Sequence, residues 1–230
     1  VRLYALRGTD LENNNLSPVS PESSIGGNPL HGFVEFVTNP YLLGIGMFII
    51  LYTGIGSFVY LEQKNLLATY SRADRATIYG IRDAVTNAIT FALAFFVTGR
   101  LVPRLGMSVA LVIVPTLIFL GMLILAVSPV LTIALALWIA RSAGNYGLVR
   151  PCREMLFTRV DRESRFKTKP VIDIVAYRGG DVIMAWFFSG LTQGLGLGMG
   201  CVGLVGAGLA VLWGFVGYLL GRNFRDRSIA

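Results

Sequence analysis

Asp173, Arg178 and Asp181 stand inside an apolar run, Val171 to Leu191, that follows directly on a basic stretch with seven Lys or Arg residues between Arg150 and Lys169. A charge within hydrocarbon costs roughly 2.5–3.5 kcal/mol on insertion scales, so such groups face a polar cavity and mark a path for solute or ions. Arg178 and Asp181 are three positions apart, a spacing at which helical side chains can pair. Gly179-Gly180 between them gives a place where a binding helix can deform or another backbone can approach. The spacing therefore predicts a binding helix, against the plainer alternative of a buried ion pair that only fixes packing.

Two further constellations share this character. Arg141 interrupts the run from Val130 to Val149 about 17 Å from its start at roughly 1.5 Å per residue, with Ser142, Asn145 and Tyr146 beside it. If the run ends at Ala140 instead, Arg141 is only a stop-transfer charge. Asp83, Asn87 and Thr90, with Thr86 adjacent, recur on one helical stripe, which suits either a cavity wall or hydrogen bonding between helices. Arg82 beside Asp83 is expected to snorkel towards water. Arg178, Asp181, Arg141, Asp173, Asp83, Asn87 and Asn145 are thus the candidate substrate-binding or coupling residues.

Catalytic chemistry has little to work with. The chain holds one His, His31, and two Cys, Cys152 and Cys201, with no metal-ligand spacing. Ser-His-Asp sets, HExxH and phosphate-binding glycine loops are missing from the sequence, so an enzyme is not expected, and no cofactor or metal is implied.

The elements that must position these groups are membrane helices. Hydrophobic residues make up 54% of the chain, charged residues 14%, and mean hydropathy is +0.64, whereas soluble domains carry about 25% charge. Stretches of about 20 apolar residues, enough to cross roughly 30 Å of hydrocarbon, number six: Tyr41–Leu61, Thr77–Thr98, Ser108–Val127, Val130–Val149, Val171–Leu191 and Met199–Leu220. The expected fold class is an all-α polytopic membrane protein with six transmembrane helices. Residues 1–39 read as a cytoplasmic linker without signal-peptide features, with a short interfacial helix at His31–Val37. Residues 40–221 form the bundle, and 222–230 a basic tail. Because the chain begins with Val, further sequence is expected before it. Gly190, Gly194, Gly196, Gly198 and Gly200 predict close helix approach between the fifth and sixth spans.

Most of the 20 basic residues fall on one side of such a bundle: Arg2, Arg7, Arg100, Arg104, the seven of Arg150 to Lys169, and Arg222, Arg225 and Arg227. The other side holds Lys64, Arg72 and Arg75. Positive residues accumulate in cytoplasmic loops, so both termini and Cys152 are placed in the cytoplasm. The expected location is a membrane such as the bacterial inner (plasma) membrane. The net charge of +7 is accounted for by an anionic leaflet, and no nucleic acid polymer is needed as a partner.

Six spans with cytoplasmic ends, the very short Ser128-Pro129 outer turn and Gly99-Arg100-Leu101-Val102-Pro103-Arg104-Leu105-Gly106 resemble the carboxyl-terminal half of a major facilitator superfamily transporter. Its loop signature is G-x-L-a-D-R-x-G, and Pro103 stands where the family has an acid. Pro151-Cys152-Arg153-Glu154-Met155 and Lys167-Thr168-Lys169-Pro170-Val171-Ile172-Asp173 are similar to the P-T-K-E-M and K-x-K-A-A-x-D elements of the ATP/ADP antiporter-like (nucleotide translocase) family. The resemblance implies half of a twelve-helix bundle, an amino-terminal six-helix half as partner, and alternating-access transport of a small anionic or nucleotide-like solute. Asp181, however, takes the place of a lysine the family links to substrate, and Asn145 to Pro151 departs from its K-Y-S-L-F-D-P. An anion gained where a cation is lost predicts weaker attraction for triphosphates and no exchange of ATP for ADP. The alternative from another class is a non-transporting membrane scaffold or receptor with the same fold.

Overall fold

Asn39 and Pro40 start the central element. The Asn39 side chain accepts from the Tyr41 backbone N–H at 3.0 Å, and Pro40 occupies the first helical turn, where its missing N–H is not needed. Helix α2, Pro40–Leu66, then runs 27 residues, about 40 Å at 1.5 Å per residue. It is buried on most of its circumference, as expected of a helix apolar all round. The computed structural model describes residues 30–226; the linker residues before these, with Arg2 and Arg7, and Arg227 lie outside the described residues.

Among the described residues the chain is all-helical, with no strand. Preceding α2 is α1, Leu30–Thr38, where a short helix is expected. Ser71 caps α3, Arg72–Ala92, by accepting from the Asp74 N–H, an arrangement that satisfies one orphan donor of the first turn. A π-helical segment, Leu93–Thr98, joins it to α4, Gly99–Val127. Gly106 inside α4 takes φ +82°, open to glycine at no steric cost, and kinks the rod there. After the turn at Ser128 come α5, Leu131–Gly144, a π segment, Asn145–Val149, and α6, Arg150–Leu156. Then follow α7, Arg162–Ile174, a third π segment, Val175–Gly179, α8, Gly180–Ser189, and a fourth π segment, Gly190–Gly194. The last helix is α9, Met199–Asp226.

Three of these helices, α2, the Val102–Val127 part of α4, and α9, are long and apolar enough to cross a membrane. They correspond to the first, third and sixth expected spans. The segments of the second, fourth and fifth are helical too, but their apolar runs are interrupted. Arg82 and Asp83 lie in α3, Arg141 and a π segment in the fourth, and Asp173, Arg178, Asp181 and π segments in the fifth. Large apolar side chains such as Ile124, Trp186, Leu204, Val211 and Phe215 point outwards, which suits a membrane-embedded protein better than water.

The core sits where α2, α4 and α9 meet. Trp213 packs on Phe48 and Tyr52, and Phe58, Ile118 and Met122 are fully buried around it. Close approach of α4 and α9 depends on glycine, and of the expected glycines only Gly200 takes part, where a Cβ would lie 2.9 Å from the Ala126 carbonyl oxygen. Gly190, Gly194, Gly196 and Gly198 have open space where a Cβ would be, whereas a Cβ on Gly203 would lie 3.0 Å from Ala126 Cα, and one on Gly217 3.2 Å from the Leu111 carbonyl. The earlier glycines fall at the helix connection, before the axes converge.

Candidate functional site

A cleft opens between α2, the α5–α6 rod and the α7–α8 rod. It has two recesses that share Tyr52 and Tyr177, whose rings meet edge to face at 6.5 Å. Each rod reaches the cleft through a π segment, one carrying Asn145 and Tyr146, the other Tyr177. Such wide turns shift the face a helix presents and recur at functional sites.

The first recess, about 330 Å³, is centred on Arg141, with Thr53, Gly56, Trp138 and Asp181 on its walls. Arg141 is 8% exposed, so it is a buried guanidinium rather than a stop-transfer charge in water. Its Cζ lies 4.8 Å from the Tyr52 ring centre and 5.2 Å from that of Trp138, contacts that stabilise a cation through the ring quadrupoles. Gly56 makes room for it, since a Cβ there would lie 2.6 Å from Nη1 and 2.8 Å from Cζ. Arg141 forms no ion pair with a described carboxylate, and its buried Nε has no hydrogen-bond partner. A desolvated guanidinium without an acid is costly and is a ready partner for an oxyanion, which it can hold by two parallel N–H bonds.

The second recess, about 300 Å³, is more densely charged, with Arg150, Arg153, Glu154, Lys169 and Asp173 on its walls. Lys169 Nζ lies 2.6 Å from Glu154 Oε2, and Arg153 Nη2 3.6 Å from Glu154 Oε1. Burial pushes the Glu154 carboxyl up, but hydrogen bonding and charge from Lys169, with help from Arg153, hold it below its ordinary value. Arg153 also donates to the Tyr177 hydroxyl. Asp173 Oδ1 is buried with no hydrogen-bond partner.

Arg141, Asn145, Asp173 and Asp181 therefore come together on one cleft. Arg178 does not. It is exposed, and no ion pair joins it to Asp181 among the described residues. The three-residue pairing rule belongs to the α-helix, and the wider π turn at Val175–Gly179 carries Arg178 off the face that Asp181 occupies. Asp83 and Asn87 are likewise exposed on α3, away from the recesses. Asp83 pairs with Arg82 at 2.8 Å, and Thr86 and Thr90 donate to the carbonyls of Arg82 and Thr86 in their own helix. Arg82 does not snorkel: it donates to Gln63 Oε1 at 2.9 Å and stacks 4.4 Å from the Trp138 ring centre, so Trp138 serves two arginines. Cys152, expected in an accessible loop, is fully buried, and burial pushes its thiol up to about 11.

Tyr52, Gly56, Trp138 and Tyr177 are site residues that sequence reasoning missed. Within an apolar run, an aromatic or a glycine carries no mark that separates a site wall from packing. Among the described residues no group of His, Cys, Asp and Glu is placed to hold a metal ion. In comparisons with protein-family models, with characterised proteins and with solved structures, nothing matches the chain.

Proposed function

We propose that this chain is the six-span, carboxyl-terminal half of a secondary active transporter of the major facilitator type, and that it moves a small solute bearing an oxyanion group. The observation that carries the reading is Arg141, a buried guanidinium on the wall of a cleft, without a carboxylate partner among the described residues. Its two aromatic neighbours hold the guanidinium at the cleft, and a guanidinium can bind an oxyanion through its N–H groups. Helices broken at the cleft by π segments suit alternating access, in which discontinuous helices form the site and rock around it. The likeness of the Pro151–Asp173 region to the nucleotide translocases supports the fold and the class of partner, a second six-helix half.

The charges argue for a modest anion. Arg141, Arg150, Arg153 and Lys169 face Glu154, Asp173 and Asp181 across the two recesses, which leaves one net positive charge for a solute. A nucleoside triphosphate brings about four negative charges, each costing or gaining about 4 kcal/mol at 4 Å for an effective dielectric near 20. Vesicles that contain the full chain, loaded with ADP, are accordingly expected to take up no labelled ATP, while Asp181→Lys should raise that exchange.

The reading is tested by melting the detergent-solubilised full chain with 3-phenylpropionate, a small aromatic carboxylate. Stabilisation that rises with concentration and disappears in Arg141→Gln is expected; equal stabilisation of both proteins would contradict it. Binding without any flux in vesicles would favour the receptor reading instead.

A further inference from the structure

Arg141 and Asp181 face the same recess, yet no ion pair joins them among the described residues. Opposite charges on one small cavity that do not neutralise one another form a dipolar recess. A simple anion would satisfy Arg141 and be repelled by Asp181, while a simple cation would satisfy Asp181 and be repelled by the guanidinium. A solute with both ends charged satisfies both at once: its anionic end meets the buried guanidinium, where an unpaired charge is costly, and its cationic end meets Asp181, which lies exposed on the wall of the recess. The rest of the wall is suited to an apolar body: Tyr60 is half-exposed beside Trp138, with ring centres 6.1 Å apart, and Tyr177 also lines the recess. Aromatic faces and edges of this kind favour a ring in offset or edge-to-face contact.

We propose that the recess takes an aromatic zwitterion of the amino-acid type, its carboxylate on Arg141, its ammonium on Asp181 and its ring against Tyr60 and Tyr177. This rests on the reading of Arg141 as an oxyanion site and goes beyond it by naming the second charge. Volume agrees, since about 330 Å³ lies at the small end of the usual range for ligand pockets. Gly56 is the positioning residue, because it alone lets the guanidinium lie against the α2 backbone.

The test is a titration at pH 7 of the full chain with three molecules on one skeleton: phenylalanine, 3-phenylpropionate, which lacks the ammonium, and phenethylamine, which lacks the carboxylate. Phenylalanine should bind at least ten-fold more tightly than either of the others. Asp181→Asn should remove that preference over 3-phenylpropionate. Gly56→Ala, which keeps every charge but displaces the guanidinium, should weaken phenylalanine and 3-phenylpropionate together, and it stands in for Arg141→Gln should that variant fail to fold. If 3-phenylpropionate binds as tightly as phenylalanine, or Asp181→Asn leaves the preference intact, the zwitterion is overturned while the oxyanion site stands. If none of the three binds, or phenethylamine binds best, both fall.

Discussion

Among the described residues Arg141 and Glu62 are both buried ionisable groups without a charge partner, but only Arg141 lines a cleft. Arg141 opens on a cleft, whereas Glu62 lies 1% exposed in α2 with both carboxyl oxygens unpartnered. A buried polar group left unsatisfied costs about 1–3 kcal/mol, so Glu62→Met should raise the melting temperature, and a fall would show that Glu62 has a partner. Glu154 behaves differently. Its carboxyl is held below the ordinary value, so the stability it contributes is complete above the ordinary carboxylate range and is lost as pH falls through the depressed value. Glu154→Gln should melt lower than the parent at neutral pH and match it in acid; a difference that persists at all pH values would locate the effect in packing. The effect is small, roughly 0.2–1 kcal/mol, because the pair is partly exposed.

At the scale of elements, the α4–α9 contact rests on glycine. A Cβ on Gly221 would fall well inside contact distance of the Ser108 backbone, which cannot yield as a flexible side chain would. Overpacking of this kind costs about 1–3 kcal/mol, so Gly221→Ala should lower the melting temperature by several degrees, whereas Gly194→Ala, with open space around it, should not. The same contrast explains what could be read in advance. Arg141, Asn145, Asp173 and Asp181 were legible because a charge or amide is conspicuous in an apolar run. Tyr52, Gly56 and Trp138 were not, since their residue types are equally at home in a core. Arg178 was misplaced because the expected pairing assumes an α-helical turn, and nothing in the local sequence beyond Gly179-Gly180 marks the π segment. The long helices α2, α4 and α9 were legible from length and hydropathy, while the choice of contact glycines depended on where two axes converge.

For the whole molecule, three membrane-length helices and an apolar exterior accompany a charged cleft between α2, α5–α6 and α7–α8, and the charge of the α6–α7 region predicts that it faces the cytoplasm. Cys152 cannot report on that assignment, being buried with its thiol pushed up to about 11 and so mostly un-ionised at neutral pH. An exposed reporter is better: with Cys201→Ser as background, Glu163→Cys should react with an impermeant thiol reagent only after cells are opened. Ready labelling of intact cells would reverse the orientation. The central claim is that Arg141 holds the anionic end of a transported solute. Its most direct test is uptake of labelled phenylalanine into vesicles that contain the full chain, compared with the Arg141→Gln variant and protein-free vesicles. The account predicts saturable uptake by the unmodified protein that falls at least a hundred-fold, to the protein-free level, in Arg141→Gln, whereas uptake that survives the substitution would contradict it.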